Sequence, residues 1–126
     1  RECLRVTKTG GSFFFADVKK GTSVDVFLNK FVNTYNSLGH KGDFFLETSF
    51  ETLEDIQSCI KNCQYQEYPF LFSAVSDMIT FFKLFFGLDK ADDPTILHGI
   101  EQILGTKTTD KGIEVNWGLL LFELKK

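Results

Sequence analysis

The spacing of apolar and polar positions changes several times along this chain, and each change marks an element. From Leu4 to Val18 the period is near two. Leu4 and Val6 alternate with Arg5 and Thr7, Gly10-Gly11 interrupts, and Phe13-Phe14-Phe15 with Val18 resumes the apolar run. Period two is that of a strand, and paired glycines supply the positive φ of a tight turn, so residues 3–18 are expected to form a β-hairpin. After a Lys19-Lys20-Gly21 loop the period becomes helical. Val24, Phe27, Leu28, Phe31, Val32, Tyr35 and Leu38 form one stripe, with Asn29, Lys30, Asn33 and Asn36 on the wet side. Thr22 or Ser23 can cap this helix, Asp25 suits its first turn, and Gly39 stands where a helix C-cap wants a left-handed residue.

Phe44-Phe45-Leu46-Glu47 reads as a short strand. Thr48-x-x-Glu51 has the spacing of a capping box for a second helix, with Leu53, Ile56, Ile60 and Cys63 inward. Pro69 excludes a central strand between Tyr65 and Phe72, which leaves an edge strand or an extended connector. Residues 73–87 have a helical stripe of Val75, Met78, Ile79, Phe82, Phe85 and Phe86, while Phe81, Leu84 and Leu88 fall outside it. Asp93-Pro94 opens a further helix with Asp as N-cap and Pro at the first position, and Ile96, Leu97, Ile100, Ile103 and Leu104 face inward as far as Gly105. Residues 105–112 form a polar loop. Ile113 to Leu124 then alternates as one long strand, one side apolar throughout and the other polar at Glu114 and Asn116 before turning apolar at Leu120, Phe122 and Leu124.

These elements define an α+β fold: a small mixed or antiparallel sheet, built from an N-terminal hairpin plus the C-terminal strand, packed against about four helices. The length of 126 residues fits a single domain spanning 1–126. Arg at position 1 suggests a domain excised from a longer protein. The hairpin followed by a helix resembles, in topology alone, the opening of a ubiquitin-like roll; the helix-rich middle departs from it.

Composition sharpens this picture at three points. Fifteen phenylalanines stand against one Trp and one Met, so the core is aromatic. Residues 1–42 carry seven bases and three acids, residues 43–126 seven bases and 14 acids, so a phosphate backbone would be repelled by most of the surface and nucleic acid is not an expected partner. No run approaches the roughly 18 apolar residues of a membrane span. Three cysteines, an odd number without dense spacing, favour a reducing compartment, hence an intracellular protein, cytoplasmic or nuclear.

Candidate chemistry is sparse. Cys59-x3-Cys63 sets two thiols on one face of the expected second helix, but a closed zinc site needs four ligands and no second pair is present. His40 and His98 have no nucleophile beside them. Asp89, Asp92 and Asp93 lack the alternating ligands and later Glu of a Ca²⁺ loop and read as a solvated helix cap. No catalytic residue, metal ligand or cofactor site is therefore assigned. Lys19 and Lys20, before a helix N-terminus, together with Lys41 are candidates for weak anion or phosphoinositide binding. Val115-Asn116-Trp117-Gly118 resembles the Asn-Trp-Gly core of the BH1 motif of Bcl-2-type proteins over four residues. Leu119 stands where Arg usually follows and no Leu-x-x-x-Gly-Asp precedes it, so no binding residues are carried over.

The stretch from Thr80 to Gly87 puts four phenylalanines into six positions. Acids at Asp77, Asp89, Asp92 and Asp93 argue against an anionic membrane as its counterpart. Phe81, Leu84 and Leu88 thus become candidates for an interface. The expected function is a non-catalytic protein–protein interaction module or assembly domain, binding a protein partner or a second copy. The alternative is an enzyme or small-ligand domain whose polar groups converge only in three dimensions.

Overall fold

The computed structural model describes residues 1–126. It is α+β, with two three-stranded antiparallel sheets and five helices. The first sheet contains β1 (Ser12–Asp17), β6 (Gly118–Lys125) and β2 (Ile60–Glu67), in the order β1-β6-β2. The second contains β3 (Phe70–Phe72), β5 (Gly112–Val115) and β4 (Thr106–Thr109), in the order β3-β5-β4.

The two sheets share one ribbon. Tyr65 lies opposite Leu120 and Glu67 opposite Gly118; beyond the break, Phe70 lies opposite Val115 and Phe72 opposite Ile113, in unchanged register. Only Pro69, which has no N–H to donate, and its neighbour Tyr68 interrupt the ladder, and the Tyr68 N–H still reaches the Trp117 carbonyl at 2.8 Å. The ribbon serves two cores with its two faces. Val115 turns one face toward the helices, and Trp117 and Leu119 pack there as well. Leu120, Phe122 and Leu124 turn the opposite face toward a smaller core with Phe13, Phe15, Phe45, Phe50 and Ile56. The alternation seen in the sequence holds, but the one long strand expected over Ile113 to Leu124 is two, β5 and β6, parted at Asn116-Trp117 into separate sheets, and the polar-to-apolar change marks the passage from one core to the other.

The larger core lies between three helices. α2 runs through Ser23–Val26, a π-helical segment Phe27–Val32 and Asn33–Tyr35. α4 is Val75–Phe85, and α5 joins Asp93–Gly99 to a π-helical segment Ile100–Leu104. Thr22 caps α2 by accepting from the Asp25 N–H, and Asp92 caps α5 by accepting from the Thr95 N–H at 3.0 Å. The cap is thus Asp92, one residue before the expected Asp93. Phe82 is the hub: its ring meets those of Phe27, Phe70, Phe72, Phe81 and Phe86 within 6.1 Å.

Five expectations need correction. The first arm of the N-terminal hairpin is instead a helical turn, α1 (Glu2–Val6); β1 pairs with β6 from the far end of the chain, which buries Phe13 and Phe15 against Leu124 and Phe122. The ubiquitin-like opening is therefore absent. The second helix shrinks to α3 (Glu54–Gln57), without the capping box, because Ile60 onward pairs with β6. Residues 44–47 contribute one bridge, Lys19 with Phe45. The polar stretch 105–112 is not a loop: its threonines form β4, paired with β5. Leu38, placed in the α2 stripe, is 95% exposed because the helix stops at Tyr35.

Candidate functional site

α4 buries its middle and bares its ends. Met78 and Phe82 are fully enclosed, whereas Val75 in the first turn and Phe85 in the last are exposed although they lie on the same stripe. A helical wheel ranks residues by angle and is blind to where the core stops along the axis. Phe85 is 65% exposed and its neighbour Leu84 76%. Phe85 stacks on Phe81 with centroids 5.1 Å apart and rings within 12° of parallel. Phe81 in turn rests on Phe70 at 5.3 Å and Phe72 at 5.4 Å. On the other side Phe85 meets Phe86 edge-on at 4.9 Å, and Phe86 stacks on Trp117 at 5.7 Å. An aromatic ridge thus runs from the surface at Phe85 to Trp117. There it borders a cleft of about 250 Å³ lined by Glu67, Pro69, Lys107, Glu114 and Asn116.

The rim of this ridge is acidic. Asp77 precedes Phe81 by one turn, and Asp89 follows the helix. The Ser37 side chain, and then its N–H, which donates at 2.8 Å, hold the Asp89 carboxyl below the usual aspartate range. The Thr95 side chain and then its N–H do the same for Asp92. The one base on the helix, Lys83, is committed to Asp93 at 2.8 Å.

The three candidates of this region part company. Leu84 is exposed, Phe81 is half-buried in the aromatic cluster, and Leu88 is 0% exposed. Leu88 is therefore a core residue. Gly87 adopts φ 60, the helix ends, and the Leu88 N–H bonds back to the Lys83 carbonyl at 2.9 Å, tucking its side chain under the helix. Phe85 is the residue that sequence reasoning missed, having been assigned to the buried stripe.

The anion candidates offer little free charge at the helix N-terminus. Lys19 pairs with Glu47 and lies 5.8 Å from the Tyr65 ring centroid. The Gly21 N–H already donates to the Asp25 carboxylate at 2.7 Å, while Lys20 and Lys41 are exposed and join no ion pair. The three cysteines are free thiols, and Cys59 and Cys63 do not share a helix: Cys63 is in β2. Burial pushes the Cys63 thiol up, so it is a poor nucleophile at neutral pH. The Asn116-Trp117-Gly118 triplet divides three structural tasks. Asn116 donates to the last carbonyl of α5, Leu104, at 3.0 Å; Trp117 packs on Phe70 and Phe86; Gly118 leaves room for the Tyr65 ring, which a β-carbon there would strike.

Compared with models of protein families, with curated proteins and with solved structures, the chain shows no match. No helix is long and apolar enough to cross a membrane.

Proposed function

We propose that the protein is a non-catalytic protein–protein interaction module whose contact surface is the outer flank of α4. The observation that carries this reading is the exposure of Leu84 and Phe85 on a ridge already ordered by Phe81, Phe86 and Trp117. A preformed aromatic anchor loses little side-chain entropy on binding, and burying one such residue contributes about 1.5–3 kcal/mol before the cost of association. The acidic rim of Asp77 and Asp89 selects for a partner with apolar residues flanked by bases. The test is cross-linking mass spectrometry on captured complexes. Cross-links should map to residues around Leu84 and Phe85 and disappear in Leu84→Ser/Phe85→Ser; cross-links confined to another face would refute the assignment.

A second reading has one observation in its favour. A cavity of about 160 Å³, lined by Cys3, Leu4, Phe13, Phe15, Phe50, Ile56 and Leu124, opens beside Arg1. Its walls are almost wholly apolar, and an apolar space of roughly this volume accepts a single aromatic ring. Titration with benzene or indole, followed by NMR at Phe13 and Phe50, would show saturable shifts if it is a ligand site and none if it is only a packing defect.

A further inference from the structure

We propose that β2 is the dimerisation edge of this protein, pairing antiparallel with β2 of a second copy about a two-fold axis at Gln64. β2 is the outer strand of its sheet and is bonded on one side only, to β6. Tyr68 bonds Trp117 at its register position, and bonded and unbonded positions alternate along an antiparallel pair. Cys63, Tyr65 and Glu67 therefore turn their N–H and C=O groups away from β6. The side chains of Lys61, Asn62, Gln64, Tyr65, Gln66 and Glu67 are all exposed. A bulge between Ile60 and Asn62 bounds this window at one end and Pro69 at the other. Such devices usually blunt an edge, yet here they stand only at its ends, with Lys61 in the bulge and Glu67 two residues before Pro69, and the residues between, Asn62 to Gln66, carry neither charge nor proline.

The strand's own sequence identifies the occupant. Reversed against itself about Gln64, the window sets Lys61 opposite Glu67, Asn62 opposite Gln66 and Cys63 opposite Tyr65. Opposite charges thus meet at both ends, twice by symmetry, as a self-complementary interface requires. The backbone parity agrees: the outward-pointing groups of Cys63 meet those of Tyr65, and each such pair exchanges both its hydrogen bonds. Sliding the register by two residues sets Lys61 against Tyr65 or Pro69 and loses both charge pairs. The product joins the two three-stranded sheets into one continuous sheet through β2. It uses no residue of the α4 flank, so it stands apart from the interaction surface proposed above.

Sedimentation velocity from micromolar to millimolar concentration tests this on the wild-type chain. A monomer–dimer equilibrium is expected. Lys61→Glu should weaken it about tenfold or more, Lys61→Glu/Glu67→Lys should restore it, and Leu84→Ser/Phe85→Ser should leave it unchanged. With Cys3, Cys59 and Cys63 replaced by Ser, Gln64→Cys should form a disulfide-linked dimer under oxidised glutathione, since the axis sets residue 64 against itself. If circular dichroism shows that this background does not fold, the charge-reversal pair alone decides. A chain that stays monomeric throughout overturns the proposal. So does a dimer indifferent to Lys61→Glu, or one lost in Leu84→Ser/Phe85→Ser.

Discussion

The ring of Phe31 occupies the space where a β-carbon on Gly99 would stand, with ring atoms 2.3 to 2.8 Å from that position. Helices α2 and α5 approach each other through this contact, at the edge of both π-helical segments. Gly99→Ala therefore overpacks the larger core and is expected to cost about 1–3 kcal/mol in denaturant unfolding. Phe31→Leu in the same chain should recover part of that loss, because the obstacle is the ring.

Position along α4 should separate stability from surface. Phe82→Ala empties the centre of the aromatic cluster and is expected to cost about 3–5 kcal/mol. Leu88→Ala, one residue past the helix-ending Gly87, should cost about 2–5 kcal/mol. Leu84→Ser should stay within about 0.5 kcal/mol of wild type. Equal losses at Leu84 and Leu88 would mean that the chain does not turn inward after Gly87.

The cap of α2 offers a smaller, cleaner test. Thr22 accepts from the Asp25 N–H, so Thr22→Ala should cost about 1 kcal/mol and Thr22→Ser should recover most of it.

Acid should destabilise the fold through Asp89 and Asp92. Both carboxyls are held below their usual range by hydrogen bonding from the side chains and then the backbone N–H groups of Ser37 and Thr95. The unfolded chain therefore binds protons at a higher pH than the folded one. Their contribution is complete above the ordinary aspartate range and fades as pH falls through it toward the depressed folded values. Denaturant midpoints measured from neutral to acid pH should fall on that limb, and Asp89→Ala/Asp92→Ala should flatten it.

Much of this fold was legible where the signal was local. The stripe of α2, the Asp-Pro start of α5 and the edge character imposed by Pro69 depend on neighbours within a few turns. The partner of β1 and the strand character of β2 and β4 were not legible, for one shared reason. β1, β2 and β4 each take their form from pairing with β5 or β6, near the far end of the chain. Leu4 and Val6 alternate as a strand does, yet Phe13 to Phe15 find a better partner in Phe122 to Leu124. Ile60 and Cys63 fit a helical spacing as well as a strand, and pairing with β6 decides. At the candidate surface, Leu84 was readable from its angle on the helix, whereas Phe85 and Leu88 were not. Their exposure depends on where the core ends and where Gly87 turns the chain.

The interaction surface is tested most directly by quantitative affinity capture with wild type and Leu84→Ser/Phe85→Ser, alongside the melting temperature of each. The account predicts a defined set of proteins retained by wild type and lost by the variant, at an unchanged melting temperature. An identical set on both, or a variant that unfolds, would contradict it.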